Sequence, residues 1–352
     1  MGDIKLKKGT GILFVMAVLF ISSLIYLHYG DQNTLRVGIF YGSNWEVPGT
    51  VHYEILDQAI KKFESKYPNV KVEYEKGILS NDYSEWLSEQ ILKGTEPDVY
   101  LVLDEDFNTL ASLGALKNLD MLVGGDKEFD SNVFYSSVYK AGQYEGSQYA
   151  LPMECNPTLM FVNKTLLQKE GIKVPDNDWT WDDFYDICKT IVKDSDGDGQ
   201  MDQFGCYDYT WLQAVYSNGI TPFNQSGTSS NFLDEKFSQS LEFVKRLEAT
   251  NRNYQVTSND FDLGKVAFRP FTFSDYRTYM PYPWRIKKYS GFEWTCIRMP
   301  AGPSGDNRSE MSALMAGMSS RTEKKQCAWD FVKLLTTDTD IQKLVYEDTS
   351  AA

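Results

Sequence analysis

The chain has 352 residues, enough for two domains or one large α/β body, and its 42% hydrophobic and 24% charged content is that of a globular protein. With 49 acidic residues against 35 basic ones the formal charge is −14, a surface that repels phosphate backbones and argues against a nucleic-acid partner. Two histidines, His28 and His52, leave almost no material for a His-based metal site or a Ser/His/Asp triad. Five cysteines, an odd number with no C-x-x-C spacing, argue against a disulfide framework.

Lys5, Lys7 and Lys8 precede an apolar run from Gly11 to Leu27, roughly the length of a short membrane-spanning helix. No small-x-small cleavage site follows it, and no cysteine stands near its end to carry a lipid. This pattern predicts a signal anchor over residues 1–30, with the lysines inside and the body on the extracytoplasmic face of the cell membrane. A secretory signal cut at an atypical site is the alternative.

Beyond the anchor, strands and helices alternate. Leu35 to Phe40 reads as a strand, Val51 to Tyr67 as a helix with Ile55, Ala59, Ile60 and Phe63 on one face, and Val70 to Tyr74 as a strand. Such a βαβ unit implies a parallel sheet. A helix over Tyr83–Lys93, a buried strand over Pro97–Leu103 and a short helix over Phe107–Leu113 follow. Tyr149–Met153 and Thr158–Val162 read as two strands, Leu166–Glu170 as a helix, and Trp181–Val192 as a helix capped by Thr180. Phe232–Thr250 is a long amphipathic helix, Lys265–Phe268 and Trp294–Arg298 are strands, and Gln326–Leu335 is a helix. The fold class is α/β throughout.

One loop carries its own chemistry. Asp194-Ser195-Asp196-Gly197-Asp198-Gly199-Gln200-Met201-Asp202 matches the first nine positions of an EF-hand-type calcium loop, with oxygens at alternate positions and Gly199 at the tight turn. Asp194, Asp196, Asp198, the Gln200 carbonyl and Asp202 are the expected ligands of a structural Ca2+. Position twelve is Gly205 where a bidentate Glu would stand, so another acid must complete the shell. A solvated acidic turn is the alternative.

Several segments resemble the family 1 extracellular solute-binding proteins of ABC sugar importers, the group that includes maltose-binding protein. They are Ala59-Ile60-Lys61-Lys62-Phe63 running on to Tyr67-Pro68-Asn69-Val70, then Pro97-Asp98-Val99 with Gly114-Ala115-Leu116. Tyr149-Ala150-Leu151-Pro152, Gly171-Ile172-Lys173-Val174-Pro175 and Trp179-Thr180-Trp181 continue the series. Gly264-Lys265-Val266-Ala267-Phe268 and Met299-Pro300-Ala301-Gly302-Pro303 complete it. The resemblance implies a periplasmic-binding-protein type II fold: two Rossmann-like lobes, a hinge and an interlobe cleft. Lobe one would be 35–142 plus 299–335, and lobe two 143–298 plus 336–352. It implies a carbohydrate ligand delivered to ABC permease subunits, with no chemistry done on it. A membrane-anchored sugar sensor reporting to a membrane sensor kinase, or a binder of a non-sugar solute, is the alternative. Paired carboxylates alone leave a glycosidase possible in principle, but no nucleophile motif such as G-x-S-x-G supports an enzyme.

Sugars are held by aromatic stacking on C–H faces and by planar polar side chains on hydroxyls, so aromatics, carboxylates and amides in loops after strands are the expected site. These are Tyr41, Asn44 and Trp45 after the first strand, Asp104 and Glu105 after Pro97–Leu103, and Glu154 and Asn156 near the presumed lobe crossing. Tyr207 and Trp211, Phe273 and Asp275, and Trp284 complete the set. Trp86, Trp179, Trp181, Trp294 and Trp329 stand at periodic or cap positions and read as core.

Overall fold

The computed structural model describes residues 33–42, 52–224, 227–278 and 291–349. The expected anchor over 1–30, and the candidate residues Asn44, Trp45 and Trp284, lie outside them. Among the described residues no helix is long and apolar enough to cross a membrane.

In chain order, β1 (Thr34–Gly38), α1 (His52–Lys66), β2 (Lys71–Tyr74), α2 (Ser80–Lys93), β3 (Val99–Val102) and α3 (Asp104–Ser112) build the first half. The short helices α4 (Asp120–Gly125) and α5 (Ser136–Ala141) and the two-residue strands β4 (Gln143–Tyr144) and β5 (Ser147–Gln148) lead to β6 (Ala150–Asn163). Then come α6 (Lys164–Lys169), α7 (Trp181–Ile191), β7 (Phe204–Cys206), α8 (Trp211–Ser217), α9 (Glu235–Ala249) and α10 (Ser258–Asp262). Finally β8 (Val266–Thr272), β9 (Trp294–Ile297), β10 (Met311–Met318), α11 (Lys325–Thr337) and α12 (Thr339–Thr349) close the chain.

The main sheet has eight strands in the order β2-β1-β3-β10-β6-β8-β7, with β9 also on β6. The predicted βαβ unit forms as expected, with β2 and β3 both parallel to β1. The two short strands expected at Tyr149–Met153 and Thr158–Val162 are one continuous strand. At 3.3 Å per residue β6 reaches roughly 45 Å, long enough to serve two cores. Its first part pairs with β10 from Gly317↔Ala150 to Met311↔Pro157, and its last part pairs with β8 and β9. The register against β10 shifts between Leu314 and Met315, leaving Met153 as an extra residue on β6 next to Pro152, which has no N–H to give the ladder. The strand therefore bends where it passes from one lobe to the other.

Two cores flank this crossing. In the first, Phe63, Tyr83, Tyr100, Trp329 and Phe331 are fully buried, with Phe63 edge-on to Phe331 at 5.0 Å. In the second, Trp181 stacks on Phe243 at 4.3 Å, and Trp179 and Phe268 pack close by. Trp179, Trp181 and Trp329 are core residues, as their periodic positions indicated. Gly317, facing lobe one, has no room for a side chain: a Cβ there would lie 2.5 Å from Leu116 Cδ2.

The division of the chain differs from the sequence-based one in two places. Ile341 and Val345 of α12 pack in the first core, and Lys62 of α1 holds Asp338 and Asp340 at 2.7 Å each, so α12 belongs with lobe one. Met299 packs in the second core and Trp181 N–H donates to Ala301 O, so the segment entering β10 belongs with lobe two. An amphipathic pattern shows that a helix needs a partner, but not which of two similar cores supplies it.

Candidate functional site

Strand direction brings several of the candidate residues together. β3 is antiparallel to β10, and β10 is antiparallel to β6, so β3 runs parallel to β6 and ends, at Val102, facing the stretch after Pro152. β8 is antiparallel to β6, and its last residue, Thr272, pairs with Thr158. The carboxyl ends of strands from both lobes therefore point at the same short stretch, Glu154 to Thr158. In open α/β sheets ligands sit beyond the carboxyl ends of strands, and here two such ends face each other.

The side chains gathered there are mostly polar. Asp104 and Glu105, expected in a loop, form the first turn of α3, where the helix dipole favours acids. Glu154 and Asn156 lie on β6, opposite Leu314 and Ser312 of β10, and both are buried. Asn156 spends its amide locally: Nδ2 donates to Ser274 Oγ at 2.7 Å, and Oδ1 accepts from Ser274 N–H at 2.9 Å. Thr272 Oγ1 donates to Asp275 at 2.6 Å. Together these contacts fix the turn after β8, which carries Phe273 and Asp275 as part of a 3-10 helix. Asn156 is thus a positioning residue for that turn.

Electrostatics couple acidic groups from the two lobes unfavourably. Burial pushes Asp104 up to about 6, the charges of Glu105 and Glu310 push the same way, and an N–H from Ala313 pulls against them. The Asp104 carboxyl is open to water yet crowded by protein atoms of the cleft, which is why it loses hydration. Burial also raises Glu310, at the entry to β10. Tyr216, near the end of α8, is raised by burial and by the charges of Glu310 and Asp104. Lobe one, the hinge and lobe two thus each present a polar group to one space. Tyr216, Glu310 and Ser274 escaped the sequence reading. Each is far in sequence from its partners, and α8 was read as a loop of aromatics, although Thr210 and Gln213 form a capping box at its start.

Three other candidates also follow strand ends: Tyr41 comes after β1, which runs parallel to β3, and Tyr207 and Trp211 after β7, which runs parallel to β8. Tyr41 is part of a tyrosine row on lobe one, 5.5 Å from Tyr53, which is in turn 5.4 Å from Tyr74. Tyr207 has the Arg269 guanidinium over its ring at 4.9 Å. Trp211 opens α8 and leans on Phe237 at 5.8 Å. Tyr207 and Trp211 line a groove on the flank of lobe two that contains none of the cleft residues above.

The acidic loop gathers part of the carboxylate set read from its sequence. Carboxylate oxygens of Asp194, Asp196 and Asp202 lie within 4.8 Å of one another. Asp194 accepts from Gly197 and Gly199 N–H at 2.6 and 2.7 Å, which both glycines permit with φ of 79° and 90°. Ser195 donates to Asp202 through N–H and Oγ. Asp198 is not in that triad; its carboxylate accepts from Gln200 N–H at 2.8 Å. These oxygens are of the hard type that Ca2+ takes.

The sequence profile of a family described as bacterial extracellular solute-binding protein matches residues 48–341 of this chain. A multiple sugar-binding protein of Streptococcus mutans is 28% identical over 140 residues, 39% of this chain, and the match spans 30% of that protein's length. Among solved structures, the sugar-binding protein MalE of Xanthomonas citri superposes with a TM-score of 0.72 at 17% identity, covering 90% of this chain and 78% of that one. The substrate-binding protein Lmo0181 of Listeria monocytogenes, solved with cycloalternan, gives a TM-score of 0.62 at 22% identity, covering 90% and 78%.

The raised Asp104 has a consequence for stability. Its ordinary value is near 4 and its folded value about 6, so between those values the folded state holds more protons than the unfolded one. Stability contributed at this position therefore falls as pH rises from 4 to 6, and the penalty is complete above 6. Asp104→Asn is expected to raise Tm by about 1–2 °C at pH 7.5, the shift being discounted for solvent screening of an exposed carboxyl, and to change it little at pH 4, measured by scanning calorimetry across that range.

Proposed function

Because the chain belongs to the bacterial extracellular solute-binding protein family, we propose that it captures a carbohydrate between its two lobes on the extracytoplasmic side and passes it, chemically unchanged, to ABC permease subunits. The observation that carries this reading is the convergence on Glu154–Thr158 of strand ends from both lobes, lined by Asp104, Glu310, Asp275 and Tyr216. Carboxylates and a phenol are the acceptors and donors that sugar hydroxyls need. The acidic lining also disfavours an anionic solute. Hinge bending at the Met153 irregularity of β6 would let the two sides close on the ligand. Residues 1–30, by their lysines and apolar run, would hold the body at the membrane surface.

A thermal-shift screen of neutral oligosaccharides tests the reading. A ligand at about 100 times its Kd stabilises the folded state by about 2.7 kcal/mol, so at least one sugar is expected to raise Tm clearly. Asp104→Ala is expected to weaken that sugar tenfold or more, and lowering pH from 7 to 5 to weaken it in the native protein as the carboxylate takes its proton. A screen in which amino acids, peptides or polyamines shift Tm and no sugar does would overturn the reading.

We further propose that Asp194, Asp196 and Asp202, with Asp198 and the Gln200 carbonyl drawn in, hold a structural Ca2+ that pins the loop between α7 and β7. Three carboxylates this close repel one another without a cation. Adding about 1 mM CaCl2 to chelator-treated protein is expected to raise Tm, and Asp194→Ala with Asp202→Ala to abolish the rise. An identical Tm with and without Ca2+ at that concentration would refute it.

A further inference from the structure

The cleft between the lobes carries a charge pattern that narrows the class of its ligand. Asp104 and Glu105 open α3 beyond the end of β3 and are both exposed, so a ligand can reach them. The Asp104 carboxylate accepts from the N–H of Ala313 on β10, a residue that pairs with Cys155 of β6. Glu310 stands at the entry to β10, where its carbonyl accepts from Thr158 N–H at 2.9 Å. Asp275 adds a further acid from the turn after β8. Strand ends from both lobes mark the site, and the acids decide its sign.

Among the described residues the nearby cations are engaged elsewhere. Arg308, two residues before Glu310, holds Asp306 through Nε and Nη2 at 2.6 Å each. Arg269 of β8 lies over the rings of Phe271 and Tyr207, at 3.8 and 4.9 Å. The charges that act on Asp104 are those of Glu105 and Glu310, both negative. The cleft acids do not gather as a metal site either: among the described residues, the three carboxylates close enough to share an ion are Asp194, Asp196 and Asp202, on another loop. Acids spread over separate elements suit a larger cation, one that carries several N–H donors on a carbon frame. A chain of formal charge −14 with a cleft lined by one sign also draws such a solute in.

We propose that the cleft selects an amino sugar, a pyranose whose protonated amine sits between Asp104 and Glu310 while its hydroxyls meet the other polar groups. The proposal rests on the sugar reading of the cleft and names the class of sugar. An ammonium offers three charge-assisted donors where a hydroxyl offers one neutral donor. Beside Asp104 it offsets the repulsion from Glu105 and Glu310, which a hydroxyl cannot do. Tyr216, kept protonated by burial and by the charges of Glu310 and Asp104, stays a donor for a neighbouring hydroxyl. Neutral sugars still enter the same space, with lower affinity.

Calorimetric titration of the full chain with paired sugars tests it, each amine against the parent that has a hydroxyl in its place. The pairs are glucosamine and glucose, galactosamine and galactose, and the β-1,4-linked trimers of glucosamine and of glucose. At pH 7 and low salt the amine of at least one pair is expected to bind about tenfold tighter than its parent, or more, and about 0.5 M NaCl to remove most of that advantage. Asp104→Asn and Glu310→Gln keep shape and remove charge, and each is expected to cut the amine-to-parent ratio to about threefold or less. The ratio within one variant is the readout, so a general loss of affinity does not imitate the effect. Parents that bind as tightly as their amines, or a neutral sugar that binds while every amine fails, overturn this proposal alone. A ratio unchanged in both variants also overturns it, because the advantage then arises away from these acids. A protein that binds polyamines and no sugar of either kind, or nothing at all, overturns the cleft reading together with it.

Discussion

Everything in this molecule hangs on β6. One 14-residue strand belongs to both cores, with Leu151 buried in the first and Met160 and Val162 in the second. A strand can satisfy its backbone only by pairing along its length, and β6 does so by changing partners, from β10 to β8 and β9. The change of partner creates the gap between the lobes, and the irregularity opposite Leu314 and Met315 gives that gap a place to bend. The cleft is therefore a consequence of sheet topology before any ligand-binding side chain is considered.

On that frame the polar groups are costly on purpose. Asp104 and Glu310 are kept in surroundings that disfavour their charge, and Tyr216 stands close enough to feel both. Such an arrangement weakens the folded protein near neutral pH, where burial disfavours the charged carboxylates. Asn156 shows the complementary economy: a buried amide on the shared strand donates to and accepts from Ser274, fixing the turn after β8. Around it, ordinary devices hold the lobes, such as Asp126, which accepts from Trp329 Nε1 at 2.9 Å and from Lys333 at 2.6 Å.

Much of this was legible in the sequence, and the reasons for the failures are physical. The helix faces of Ile55, Ala59 and Phe63, the Thr180 cap and the Pro97-Asp98-Val99 strand entry are local signals, and each formed where expected. β10 was invisible. Met311-Ser312-Ala313-Leu314-Met315-Ala316-Gly317-Met318 has the composition of a helix, and only its place between β3 and β6 makes it extended. Splitting β6 in two had a similar cause, because the polar residues Glu154 and Asn156 read as a loop after the strand, whereas pairing with β10 keeps them extended. Asp104 was found because an acid after a buried strand is a local pattern. Tyr216 and Glu310 were missed because their meeting with Asp104 is fixed by topology, not spacing. Aromatic content alone does not say which aromatics share a space: Tyr207 and Trp211 meet in one groove because β7, α8 and α9 bring them together.

The central claim is that strand ends from both lobes close on one ligand at Glu154–Thr158. Hydrogen–deuterium exchange, with and without the sugar that most raises Tm, reads it directly. Protection is predicted at once in the peptides holding Asp104, Glu154–Thr158, Ser274–Asp275 and Glu310, which lie on both sides of the hinge. Protection confined to one lobe, or absent from Glu154–Thr158, would contradict the account.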